Sequence, residues 1–299
     1  MKSLPERLID PRSPDRRPRR AAYALPTFFT AGNVFLGFYA LVESFRGAML
    51  TSAGDLSASL HFSYAAIGIG VAVVLDGLDG RIARMTNTVS DFGREMDSLA
   101  DVITFGIAPA VMAFAWGIEF TSAPPDPFTL EHLRRAGYFF AFLYLLCGAM
   151  RLARFNVQTN PVPKNPGRPD RKYFVGMPIP SAAAAVAAII FAAESTPLRW
   201  WGYSVAWLAL LALLSFLMVS TWRYPSFKDL NLVRPQSPVS FVLAGALIYL
   251  VWAFPQPVLL IMSVGYVLSG IIIRVGGILR RRFRGSHPSS TPRPEHQVG

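Results

Sequence analysis

Residues 76–101 read Asp76-Gly77-Leu78-Asp79-Gly80-Arg81-Ile82-Ala83-Arg84, then eight residues, then Gly93-Arg94-Glu95-Met96-Asp97-Ser98-Leu99-Ala100-Asp101. Four aspartates stand here at helical spacing between two apolar runs, Ala65–Leu75 before them and Val102–Trp116 after. Asp76 and Asp79 are three apart and Asp97 and Asp101 four apart, so each pair can share a helix face with Cβ atoms about 5–6 Å apart. An aspartate at mid-bilayer depth costs roughly 2.5–3.5 kcal/mol on insertion scales. Four carboxylates that repel one another fit the edge of hydrocarbon only when something cationic sits among them.

The rest of the chain says that hydrocarbon is the setting. Of 299 residues 52% are hydrophobic and only 16% charged, 22 are Phe, and the mean hydropathy is +0.36. Apolar stretches recur near the roughly 20 residues needed to cross a bilayer. Eight are placed, at about 23–45, 62–80, 99–117, 137–154, 179–195, 201–221, 239–254 and 257–275. The fifth, Ala-rich and opened by Pro178 and Pro180, and the seventh are the shortest. The expected fold is therefore all-α, a polytopic membrane helix bundle of about eight transmembrane helices.

Charge placement supports that count. With both termini in the cytoplasm, only Arg46, Arg134, Arg135 and Arg199 of the 29 Lys and Arg fall in outer segments. This is the asymmetry that the positive-inside rule demands, and adding or removing one span would destroy it. The aspartate cluster then lies at the cytoplasmic side, where the second and third spans meet. The net charge of +11 follows from topology and calls for no nucleic-acid partner. Residues 2–20 and 280–284 also suit anionic lipid headgroups. The Arg/Pro-rich start lacks the plan of a cleaved signal peptide. A single cysteine, Cys147, excludes an internal disulfide. The four histidines show no metal-ligand spacing, and nothing resembles a P-loop or a Ser/His/Asp set.

An all-oxygen ligand set suits a hard cation such as Mg²⁺, Mn²⁺ or Ca²⁺. Four aspartates could hold one ion, or a pair about 3.5–4 Å apart as in phosphoryl-type displacements. Gly80 and Ala83 lack bulk, which would let a phosphate-bearing ligand approach the helix backbone. Arg84 supplies a fixed positive charge for phosphate oxygens, and Gly93 permits a tight turn back towards the bilayer. Taken singly, each feature has a plainer reading: a solvated helix cap, a packing glycine, a topology charge. The joint pattern between two spans argues for a site. A cation transporter is the competing class, but it would place acidic groups at several depths. Here all four cluster at one face, and spans six to eight contain no Asp or Glu.

The string D-x2-D-G-x2-A-R-x8-G-x3-D-x3-D resembles, without a departure, the signature of the CDP-alcohol phosphatidyltransferases. That resemblance implies transfer of a phosphatidyl group from a CDP-linked lipid to an alcohol hydroxyl, with release of CMP. It implies that Asp76, Asp79, Asp97 and Asp101 hold a divalent metal, Mg²⁺ or Mn²⁺ and two ions, and that Asp101 is also the general base. Gly80, Ala83 and Arg84 would line the nucleotide and phosphate pocket. Leu25-Pro26-Thr27-Phe28-Phe29-Thr30-Ala31-Gly32-Asn33 resembles the family's first helix, where Thr30 and Asn33 would help hold the nucleotide.

Three further segments resemble the bacterial phosphatidylserine-forming branch: Arg151-Leu152-Ala153-Arg154-Phe155-Asn156, Phe174-Val175-Gly176-Met177-Pro178-Ile179-Pro180 and Ser220-Thr221-Trp222-Arg223-Tyr224. Arg151 and Arg154 could meet a phosphate or an acceptor carboxylate, or serve as positive-inside anchors. The branch implies CDP-diacylglycerol and L-serine as substrates, with glycerol 3-phosphate, inositol phosphate or choline as alternative acceptors. It also implies a homodimer among membrane lipids in the bacterial inner membrane. The expected plan is a basic N-terminal segment (1–21), a six-helix catalytic core (22–221), two additional helices (222–278) and a basic disordered tail (279–299).

Overall fold

A computed structural model describes residues 16–86, 91–122, 127–159, 173–225 and 238–284. In chain order the described elements are α1 (Arg16–Ser52), α2 (Ala58–Thr86), α3 (Asp91–Asp101), a π-helical turn (Val102–Ile107), α4 (Ala108–Gly117) and α5 (Pro127–Thr159). There follow β1 (Tyr173–Val175), α6 (Ile179–Ala192), α7 (Trp201–Val219), β2 (Arg223–Pro225), α8 (Pro238–Ala253) and α9 (Pro255–Arg284).

Six stretches are long and apolar enough to cross a bilayer: Phe28–Ser52, Ala58–Leu78, Phe92–Gly117, Thr129–Val157, Trp201–Val219 and Pro255–Gly276. Two shorter apolar helices, Ile179–Ala192 and Phe241–Ala253, are the fifth and seventh spans expected from sequence. This is an all-α polytopic membrane protein. Helix α9 runs on to Arg284, past the expected boundary at residue 278. Positive charge at a helix C-terminus complements the macrodipole, so the Arg-rich end favours helix there. Residues 1–15 and 285–299, including most of the expected disordered tail, lie outside the described residues.

Packing explains the order of layers. α1 lies along α2, α5 along α7, and α6 sits inside, touching α2 and α9. Ala182, Ala183, Ala185, Ala187 and Ala188 of α6 are all buried. Small side chains let neighbouring backbones approach closely, which is how membrane helices gain packing energy without a hydrophobic drive between them. By contrast the α8 residues Phe241, Val242, Ile248, Tyr249 and Trp252 are exposed, as a face against hydrocarbon would be.

Two places depart from plain helix packing. β1 and β2 pair antiparallel, with Phe174 opposite Tyr224 and Val175 opposite Arg223. This ties the entry to α6 to the exit from α7, and Gly176, at φ +78°, makes the turn that follows. The second is the π-helical turn after Asp101. Thr104 donates to the Asn33 carbonyl at 2.9 Å and Tyr144 donates to the Phe105 carbonyl at 3.2 Å. Tyr144 thus satisfies a carbonyl of the turn itself and Thr104 ties the turn to α1, and π turns recur at functional sites.

At the start of α2, buried Glu43 accepts from Arg46 at 2.9 Å and meets His61 Nδ1 at 2.6 Å. This cluster is fifteen residues, or about 22 Å, along α2 from Asp76. His61, without a role in the sequence reading, thus joins α1 to α2 at the end remote from the aspartates.

A candidate metal and phosphate site

The last turns of α2 carry Asp76, and α3 carries Asp97 and Asp101 on one face because they are four residues apart. One carboxylate oxygen from each of these three residues lies within 4.8 Å of the others. Asp101 is buried, while Asp76 and Asp97 are half-buried. The Asp76 and Asp101 carboxyl groups are within hydrogen-bonding reach of each other. The backbone of Asp79, Ala83 and Arg84 continues α2, and their side chains fall outside the described residues. Gly80 is on the same helix, half-buried, next to the cluster.

Three converging carboxylates with no imidazole or thiol are the donor set of a hard divalent ion. Their mutual repulsion at a partly dry helix end is the term that such an ion would cancel. The residues therefore fit the metal implied by the sequence pattern.

Asn33 and Thr30 sit buried on α1, one turn apart. The Asn33 side chain is fully buried, and neither its Oδ1 nor its Nδ2 has a hydrogen-bond partner among the described residues. An amide left so costs about 1–3 kcal/mol, a penalty a bound polar ligand removes. The α1 helix reaches this level because Gly37 admits the π-helical turn. A Cβ at Gly37 would lie 2.6 Å from Thr104 Oγ1 and 2.8 Å from Thr104 Cα.

The two arginines of α5 part company. Arg151 lies within electrostatic range of Asp101 and Asp76 and of the Tyr266 phenol from α9. Its guanidinium carbon is 5.8 Å from the centre of the Phe155 ring. Arg154 instead donates to the carbonyls of Val219 at 3.2 Å and Val175 at 3.4 Å. That pair of bonds staples the strand β1 and the end of α7 to α5. Arg151 is thus the arginine that faces the aspartates.

Sequence reasoning gave no role to Asn156, Ser98, Tyr224 or Tyr266. Asn156 donates to Ser98 Oγ at 2.7 Å, latching the end of α5 onto α3 between Asp97 and Asp101. Tyr224 is fully buried on β2, its hydroxyl has no partner among the described residues, and burial pushes its phenol up to about 12. No local signal could have found these residues, since each acts through a contact with a distant element.

Comparison with known proteins agrees with this geometry. Residues 23–219 match the family model described as CDP-alcohol phosphatidyltransferase. A Helicobacter pylori protein named CDP-diacylglycerol–serine O-phosphatidyltransferase is 34% identical over 256 residues, 85% of this chain and 92% of that protein. One of the same name from Bacillus subtilis is 32% identical over 205 residues, covering 68% of this chain and 91% of its own. An archaetidylserine synthase from Methanothermobacter thermautotrophicus is 30% identical over 204 residues, covering 68% and 70%.

Proposed function

This chain belongs to the CDP-alcohol phosphatidyltransferase family, and on that premise we propose that it moves the phosphatidyl group of CDP-diacylglycerol onto the hydroxyl of L-serine. The products are phosphatidylserine and CMP. The observation that carries the reading is the convergence of Asp76, Asp97 and Asp101 at the end of two membrane-spanning helices. The names of the relatives support serine as the acceptor.

Asp76, Asp79, Asp97 and Asp101 would hold the divalent ions, Mg²⁺ or Mn²⁺. Bound there, such ions supply neutralisation of the diphosphate and of the charge that builds on the departing CMP. The chain's own residues do the rest. Asp101 accepts the serine hydroxyl proton; the serine oxygen forms a bond to the lipid-linked phosphorus, and the bond from that phosphorus to the CMP oxygen breaks. The electron pair leaves with CMP, so no covalent enzyme intermediate is needed. Thr30 and Asn33, with Gly80, Ala83 and Arg84, receive the nucleotide and its phosphates. Arg151 faces the acceptor carboxylate or the lipid phosphate, while Arg154 holds the scaffold behind it.

The arrangement suits its substrates. A diacyl donor arrives from the bilayer and a soluble amino acid from water, and the aspartates sit where the two meet. We place the site and both termini on the cytoplasmic face of the bacterial inner membrane, in keeping with the Lys/Arg distribution. A homodimer is part of the same proposal. Membranes containing the protein, given CDP-diacylglycerol and a panel of alcohols, should release CMP with serine and a divalent ion. Faster turnover with glycerol 3-phosphate, inositol phosphate or choline would reject serine and keep the family.

A further inference from the structure

The family match stops at residue 219, before β2 and α9. The aspartates that would do the chemistry lie inside it, yet one side of Arg151 is furnished from outside it. Tyr266 of α9 hydrogen-bonds with Ser181, at the first turn of α6, and lies within electrostatic range of Arg151. Arg151 is in turn within electrostatic range of Asp101 and Asp76. Residues of four helices therefore lie within electrostatic range of one another around this guanidinium, and the one supplied by the last helix is the Tyr266 phenol.

The position of Tyr266 is firmly set. Its ring lies 5.5 Å from that of buried Tyr224, tilted by 36°. One turn further along α9, Gly270 is buried against Tyr224, and a Cβ there would overlap the phenol ring. The β1–β2 pairing fixes Tyr224, Tyr224 and Gly270 fix α9, and α9 presents Tyr266. The Arg154 bonds to Val175 and Val219 anchor β1 and the end of α7 that leads into β2. This chain of contacts orients the Tyr266 ring.

We propose that Tyr266 is an acceptor-positioning residue, holding Arg151 in place for the carboxylate of the incoming amino acid while Asp101 faces its hydroxyl. This rests on the reading of serine as acceptor. An arginine beside two aspartates will lean onto them unless another group competes for it. A phenol braced by Ser181 offers that competing oxygen without adding a second negative charge. A planar guanidinium kept clear of the carboxylates can then take a carboxylate in two parallel hydrogen bonds.

The test is steady-state kinetics of membranes or detergent-purified protein carrying Tyr266→Phe, with Ser181→Ala as a second variant. Phenylalanine keeps the ring against Tyr224 and removes only the hydroxyl. The expected result is a rise of roughly tenfold in the KM for serine, as loss of a polar neighbour of a charged group would give. The KM for CDP-diacylglycerol and the thermal midpoint should stay near those of the parent, and Ser181→Ala should shift the serine KM in the same direction but less. An unchanged serine KM in Tyr266→Phe would overturn the proposal. So would a uniform fall in kcat and thermal stability with the serine KM intact, since that is what a merely structural tyrosine does. Failure of the parent protein to use serine at all is a different outcome, which removes the acceptor reading and this inference with it.

Discussion

Thr104 donates a 2.9 Å hydrogen bond to the backbone carbonyl of Asn33, two residues that stand 71 positions apart. The bond joins the π-helical turn that follows Asp101 to the helix that carries Asn33 and Thr30. It thereby sets the distance between the aspartates, the intended ion site, and the buried amide intended for the nucleotide. In the proposed function this bond would link donor binding to metal binding.

Gly37 tests that link. An alanine there would put its Cβ 2.6 Å from Thr104 Oγ1 and 2.8 Å from the Thr104 backbone, so a rotamer change cannot relieve the contact. Overpacking of this kind typically costs about 1–3 kcal/mol. Gly37→Ala should lower the thermal midpoint and reduce CMP release, measured on the same preparation.

Asn33 makes the opposite kind of prediction. Its amide is buried without partners among the described residues, so it weakens the ligand-free fold, and in the proposed function it would serve the donor. Asn33→Leu, close in size, should raise the thermal midpoint of the ligand-free protein by an amount worth about 1 kcal/mol. The KM for CDP-diacylglycerol should rise at the same time. A variant that binds the donor normally would remove Asn33 from the nucleotide pocket.

Much of this architecture can be read directly from the residues. The eight apolar runs follow from lengths alone, and Asp97 and Asp101 share one face as their spacing of four suggests and meet Asp76, while the Asp79 side chain lies outside the described residues. The two segments Phe174–Pro180 and Ser220–Tyr224, noticed only as a family resemblance, prove to overlap the two strands that pair. Three-residue strands separated by two helices leave no periodicity to detect. The π-helical turn is equally invisible, because it depends on Thr104 and Tyr144 finding carbonyls supplied by the fold. Tyr266 sits in an ordinary apolar run, and only the docking of Gly270 onto Tyr224 brings it to Arg151.

Gly176 makes the turn from β1 into α6. At φ +78° a side chain is strained by about 1–3 kcal/mol, and a Cβ would also lie 2.6 Å from the Met218 carbonyl oxygen. Gly176→Ala should therefore destabilise the protein, and chemical unfolding in detergent would report the loss. Activity should fall further than stability, since the paired strands also place α9.

Asp101→Asn keeps the shape and removes the proton acceptor. Loss of a general base usually costs about 10²–10⁴-fold in rate. Serine-dependent CMP release should drop by that order while the protein remains inserted and its thermal midpoint holds. Near-normal turnover would assign the proton to another group.

The central claim is that Asp76 and Asp97, with Asp101, hold a divalent ion at the membrane edge. Electron paramagnetic resonance of Mn²⁺ titrated into the detergent-purified protein measures this without relying on activity. The account predicts that the parent protein sequesters Mn²⁺ and that Asp97→Asn, though folded, loses most of that capacity. Equal Mn²⁺ binding by the two proteins, or none by either, would contradict it.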